Sequence, residues 1–252
     1  MWVGYDGFAM APCATRGRDL STDIPARAHG LTLVLRIAMY IGIVGSPRQG
    51  NTEFIIKEAL ALIGKKGFQT RLITLRDLQF GHCRACWKCY KQRQCQLDDD
   101  MTRLVLPEMQ SCRGMIFGSP SFYGSVSGLM KNFMDRCTPF LNSYQPGPLR
   151  GKPSVNLIVH GRPGGVHVAQ ATLDYWCLTM GLKILHNSLF QFLKKDDAAK
   201  SVHLKNEINL IAAKLLLEID ENGQGEDSED YPRVLVSREA IAARWRTPGT
   251  GA

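Results

Sequence analysis

The stretch Tyr40-Ile-Gly-Ile-Val44 followed by Gly45-Ser-Pro-Arg-Gln-Gly-Asn-Thr52 decides the fold. Its first five residues are apolar around one glycine, the pattern of a short strand buried on both faces. The next eight are rich in turn formers. Beyond them Ile55, Ala59, Leu62 and Ile63 share one helical face, and Gly64 and Gly67 end the helix. A strand, a glycine-bearing loop and an amphipathic helix thus follow one another directly.

The same unit recurs downstream. Arg71 to Leu75 alternates as a second strand, and Asp98-Asp-Asp100 caps a helix over Met101 to Met109. A third strand, Gly114 to Gly118, enters the loop Ser119-Pro-Ser-Phe-Tyr-Gly-Ser-Val-Ser127, and the next helix puts Leu129, Met130, Phe133 and Met134 on one side. A Pro/Gly-rich connection from Pro139 to Pro153 leads to a fourth strand, Val155 to His160, which ends in Gly161-Arg-Pro-Gly-Gly165. A helix reaches Met180, a fifth strand covers Lys183 to Phe190, and a last helix aligns Leu204, Ile208, Ile211, Ala212 and Leu215. Apolar strands alternating with amphipathic helices predict an α/β fold: a doubly wound five-stranded parallel sheet with helices on both faces. Ligands of such sheets sit beyond the carboxyl ends of the strands, where the loops 46–52, 119–127 and 161–165 fall.

The predicted domain runs from 39 to 219. Residues 1–38 mix Gly, Pro and Arg with little periodicity; either Met39 is the true start or the preceding segment is a loose extension, and the plain alternative is a helix packed on the domain. From Asp220 the chain is polar, with an acidic run from Glu226 to Asp230, and reads as a solvated tail. The formal charge of +8 favours anionic ligands, but Lys and Arg are scattered, with no basic helix or aromatic-basic array of the kind nucleic acid needs. The best apolar run, Leu31 to Val44, is short and interrupted by Arg36, so no membrane span is expected. No secretory signal is evident, which predicts a cytoplasmic protein.

Loop 46–52 has the chemistry of a phosphate site. Free N–H groups at a helix start attract an anion, helped by the helix dipole. Ser46, Asn51 and Thr52 add short donors, Gly50 permits close approach, Arg48 carries charge, and Gln49 lies in the same turn. The loop matches neither a triphosphate loop nor GxGxxG. The plain alternative is a turn with a helix cap.

Here the sequence resembles the NAD(P)H-dependent FMN reductase branch of the flavodoxin-like proteins. Loop 46–52 is similar to that family's FMN phosphate loop. Ser119 to Arg136 resembles its isoalloxazine loop and following helix, and Gly161-Arg-Pro-Gly-Gly165 its third flavin-side loop. The resemblance runs from Met39 to Leu217 and implies FMN held by Ser46, Arg48, Gln49, Gly50, Asn51, Thr52, Pro120, Ser121, Phe122, Tyr123, Gly124, Gly161, Gly164 and Gly165. A flavin ring needs a flat slot with backbone donors and acceptors, which Pro120, Phe122, Tyr123 and Gly124 can supply; otherwise Phe122 and Tyr123 are core aromatics.

Four of the eight cysteines crowd into Cys83-Arg-Ala-Cys86-Trp-Lys-Cys89-Tyr-Lys-Gln-Arg-Gln-Cys95, a C-x2-C-x2-C-x5-C run within loop 81–97. Cys13, Cys112, Cys137 and Cys177 are scattered and read as small hydrophobes. Ferredoxin-type clusters use a similar start, whereas zinc sites pair two C-x2-C units over a longer gap. Arg84, Lys88, Lys91 and Arg93 would offset thiolate charge, or lower thiol pKa values in a metal-free redox loop. With the flavin loops and Asp98-Asp-Asp-Met101, the segment is similar to that of the iron–sulfur flavoproteins, which implies a [4Fe–4S] cluster on Cys83, Cys86, Cys89 and Cys95. A glycine is common between the first two cysteines of those proteins. Arg84-Ala85 stands there instead, which predicts a different turn.

Two functions follow from the resemblance. One is electron transfer between cluster and FMN, with ferredoxin or a small molecule as partner, in a homodimer or homotetramer. The other is a cluster-free NAD(P)H-dependent FMN or quinone reductase. A zinc-stabilised contact module is the third alternative and leaves the flavin motifs unexplained. No catalytic acid or base is expected of the protein. His82, His160 and His167 are the candidate proton donors but read as surface histidines.

Overall fold

The computed structural model describes residues 39–141, 147–162 and 164–221. The expectations for 1–38 and for the tail beyond 221 lie outside the described residues.

Five parallel strands form the sheet: β1 (Met39–Val44), β2 (Gln69–Thr74), β3 (Gly114–Phe122), β4 (Pro153–His160) and β5 (Lys183–Gln191), in the order 2-1-3-4-5. This is the flavodoxin-like order, with its switch point between β1 and β3. The expected α/β fold is present. Helices α1 (Asn51–Lys65) and α7 (Leu204–Glu221) share one apolar cluster with Tyr40 and Val44. Helices α3 (Leu106–Ser111), α4 (Gly128–Arg136) and α5 (Val166–Thr179) share the other with Ile41 and Ile43. The period-2 alternation of β1 thus feeds two cores from one strand. Gly42 lets α1 close on β1, because a Cβ there would lie 2.3 Å from Ile56.

Four local expectations are corrected. The stretch 119–127 is not all loop: β3 continues to Phe122 and turns back into a two-residue antiparallel arm, Ser125–Val126. Tyr123 (φ 50°) and Gly124 (φ 73°) are both left-handed, as a tight two-residue hairpin turn requires. The second strand ends at Thr74, and Leu75 opens a 3-10 turn. The helix expected from Met101 to Met109 begins as a π-helical turn, Met101–Val105, and becomes α-helical only from Leu106 to Ser111. Two short helices, α2 (Lys88–Gln92) and α6 (Asp197–Lys200), stand where none was expected.

Candidate functional site

The three loops meet at the carboxyl edge of the sheet. Gly45 N–H donates to the Gly118 carbonyl at 2.8 Å, tying the end of β1, where the first loop begins, to β3. Ser127, buried at the start of α4, donates through Oγ to the Gly45 carbonyl and accepts from the Met130 N–H at 3.0 Å. One side chain therefore caps α4 and stitches two loops together. The second and third loops touch through bare backbone. Gly165 (φ 69°) packs on Gly124 so closely that a Cβ would lie 2.5 Å from the Gly124 Cα.

In the first loop Ser46 and Thr52 are buried, whereas Arg48 and Gln49 are exposed. Ser46 Oγ donates to the Arg48 carbonyl at 2.6 Å, which holds the turn. Asn51 faces the connection after β5: its Nδ2 donates to the Lys194 carbonyl at 2.9 Å and its Oδ1 accepts from the Ala198 N–H at 3.1 Å. That connection also brings Lys195, whose stem lies 3.7 Å from where a Gly50 Cβ would be. Sequence reasoning missed Lys195 because it follows Gly50 by most of the domain.

In the second loop Pro120, Ser121 and Gly124 are half-buried, and Phe122 and Tyr123 are exposed, Tyr123 completely. The alternative of core aromatics therefore falls. A non-glycine residue at positive φ with its ring in solvent is held there by the surrounding structure, as at ligand-binding turns. Gly161, Gly164 and Gly165 are exposed. His82 and His167 lie on the surface, and the half-buried His160 contacts the Arg162 carbonyl through Nδ1 at 3.1 Å.

The four clustered cysteines line one cavity of about 270 Å³, together with Arg84, Trp87, Lys88 and Arg136. Cys83 and Cys86 are exposed, Cys95 is half-buried and Cys89 is buried. Burial pushes the Cys89 thiol up, and the neighbouring Cys95, Cys83 and Cys86 push it further. Among the described residues no group of three Cys, His, Asp or Glu side chains is placed to hold a metal ion. Ala85 (φ 49°), Trp87 (φ 57°) and Arg93 (φ 58°) are all left-handed, so the loop bends where the sequence offers no glycine. Each such residue costs roughly 1–2 kcal/mol. Of the four expected basic residues, Arg84 and Lys88 line the cavity, whereas Arg93 donates to the Leu141 carbonyl at 3.0 Å.

Residues 39–194 match the family model described as NADPH-dependent FMN reductase. The chain belongs to this family. It is an FMN-dependent oxidoreductase, with FMN as its cofactor. It is 34% identical over 142 residues to an iron–sulfur flavoprotein of Archaeoglobus fulgidus, covering 56% of this chain and 72% of the relative. It is 39% identical over 106 residues to an iron–sulfur flavoprotein of Methanocaldococcus jannaschii, covering 42% of this chain and only about half (54%) of that relative. The solved apo form of an NADH:FMN oxidoreductase shares the fold, with a TM-score of 0.52 at 22% identity over 76% of this chain and 92% of the other. No described helix is long and apolar enough to cross a membrane.

Within this FMN reductase chain the least expected residue is Arg136, buried at the end of α4 in the wall of the cysteine cavity. Its Nη1 donates to the Gly81 carbonyl and to Asp99 Oδ2, both at 2.7 Å, and its Nη2 donates to Asp99 Oδ1 at 2.9 Å. Asp99 in turn accepts from the Gly81 N–H at 3.1 Å, and Asp100 accepts from the Gln79 N–H at 2.7 Å. Both ends of loop 81–97 are thereby clasped together. Burial works to raise the Asp99 carboxyl, but hydrogen bonds from Arg136, Gly81 and Thr102 and the Arg136 charge outweigh it and hold it below the usual range. Asp98-Asp-Asp100 is thus chiefly a neck for the cysteine loop. Its helix-capping part is one long bond, 3.4 Å from the Thr102 N–H to Asp99 Oδ1.

Proposed function

We propose that this FMN oxidoreductase passes electrons between FMN and a [4Fe–4S] cluster held by Cys83, Cys86, Cys89 and Cys95. The observation that supports the reading is the shared cavity: Cys83, Cys86, Cys89 and Cys95 all line one volume of about 270 Å³, and a cubane takes one thiolate for each iron. FMN takes up one or two electrons and a cubane one, so the pair would connect one-electron to two-electron chemistry.

The chain's own residues would bind and orient. The first N–H groups of α1, with Ser46, Gly50, Asn51, Thr52, Arg48 and Gln49, would take the phosphate, and Lys195 would add charge beside Gly50. Pro120, Ser121, Phe122, Tyr123 and Gly124, with Gly161, Gly164 and Gly165, would flank the ring. Helix α4 would join the two centres: Ser127 lies at the loops and Arg136 in the cavity wall, separated by about 14 Å at 1.5 Å per residue. The partner would be a redox protein such as ferredoxin or a small acceptor, NAD(P)H would be the direct donor in the cluster-free alternative, and the assembly would be a homodimer or homotetramer.

The test is an absorption spectrum of anaerobically purified protein, with iron and acid-labile sulfide assayed on the same sample. About four irons per chain beside flavin is the expected result, with Cys83→Ser losing iron and keeping FMN. Flavin alone, with no iron even after anaerobic reconstitution, would leave a cluster-free NAD(P)H-dependent FMN or quinone reductase.

A further inference from the structure

Arginine is seldom fully buried without a partner for its charge. Arg136 is 1% exposed, and its two Nη groups are taken up by Gly81, Asp99 and, at 3.3 Å, Thr102. The π-helical turn 101–105 carries Thr102 to that position. One donor remains: Nε is buried and has no hydrogen-bond partner among the described residues. A buried donor left unmade costs roughly 1–3 kcal/mol, so its persistence points to an acceptor that completes it. The cavity whose wall Arg136 shares is also lined by Cys83, Cys86, Cys89 and Cys95, so sulfur is a candidate acceptor there.

We propose that Arg136 is a positioning residue for the cysteine-held group: it clasps loop 81–97 through Gly81 and Asp99, and holds its spare N–H and fixed positive charge in the wall of the cavity that Cys95 lines. This rests on reading the loop as a cluster site. Adding an electron to a thiolate-bound cluster adds negative charge, and a fixed cation in a dry wall favours the reduced form. Asp99, the carboxylate paired with Arg136, acts with the opposite sign. Arg136 and Asp99 therefore set the reduction potential in opposite directions, although they form one ion pair.

The experiment is a dithionite titration, followed by visible and electron paramagnetic resonance spectra, of the iron-loaded wild type and three variants. FMN content serves as the check on folding. Arg136→Gln is expected to shift the one-electron reduction equilibrium at least tenfold toward the oxidised form, about 59 mV downward. Asp99→Asn is expected to shift it upward. Arg136→Lys keeps the charge and is expected to restore most of the potential. It loses the fork, however, so proteolysis within 81–97 should speed up as it does in Arg136→Gln. A purely structural role would loosen the loop in all three without opposite shifts in potential. Wild-type midpoints in Arg136→Gln and Asp99→Asn overturn the proposal. If the wild type never takes up iron, the cluster reading has failed instead. The clasp is then judged on the loop alone, where equal proteolysis in wild type and Arg136→Gln overturns it too.

Discussion

Replacing Gly165 by alanine tests the joint on which the ligand end of the fold depends. The added Cβ would stand 2.5 Å from the Gly124 Cα and 3.1 Å from its N, both rigid backbone. Carbon atoms rest at roughly 3.5–4.0 Å, so the two loops must part by about 1 Å. Gly165 also sits at φ 69°, where a Cβ costs roughly 1–2 kcal/mol. With about 1–3 kcal/mol for the overlap, Gly165→Ala should destabilise the domain by about 2–5 kcal/mol. Urea unfolding followed by circular dichroism resolves that loss, which for a domain of this size corresponds to about 2–4 °C in Tm per kcal/mol. The control is Gly161→Ala in the same loop. Its Cβ would meet only the Phe192 carbonyl oxygen, at 3.6 Å, so the change should stay within about 0.5 kcal/mol. Flavin fluorescence quenching should show FMN bound at least ~10-fold more weakly by Gly165→Ala, about 1.4 kcal/mol, because the loops proposed to flank the ring have separated. If Gly165→Ala unfolds within ~0.5 kcal/mol of the wild type, the close approach of Gly124 and Gly165 is wrong, and so is the loop joint built on it.

Three further outcomes are expected. Ser127→Ala leaves the Gly45 carbonyl and the Met130 N–H without their buried partner, and should cost about 1–3 kcal/mol in urea unfolding; Ser127→Thr should recover part of it. Asp99 has a folded pKa below its unfolded value of about 3.9, so its pairing with Arg136 stabilises the fold above that pH and is lost as pH falls through the folded value. Unfolding measured between about pH 5 and 2.5 should show this loss, and Asp99→Asn should be less stable at pH 5 with a shallower acid limb; parallel limbs for the two proteins would refute the assignment. Burial pushes the Cys112 thiol up to about 12 and raises Cys137 and Cys177 as well, so all three should stay silent to a thiol reagent at pH 8 until the protein unfolds. Modification of any of them in the native protein, identified by peptide mass mapping, contradicts their place in the core.

The sequence by itself determined the layered α/β fold and the three loops at the carboxyl edge of its sheet, because both follow from local periodicity. Tyr40, Ile41, Ile43 and Val44 alternate between two faces, and turn-forming residues punctuate the ends of the strands. The same reasoning placed Cys83, Cys86, Cys89 and Cys95 in one short loop, and all four line one cavity. Tertiary structure alone decided what meets these segments. Asn51 is bonded to the 194–198 connection, Gly124 lies against Gly165, and Arg136 stands in the wall of the cysteine cavity, 41 residues beyond Cys95. Sequence spacing carries no signal of such contacts, because crossover connections and helix packing bring distant residues together. The π-helical start at Met101 was hidden for a related reason: Asp99 and Thr102 are placed by a buried guanidinium, and a partner supplied from another helix leaves no trace in the local pattern.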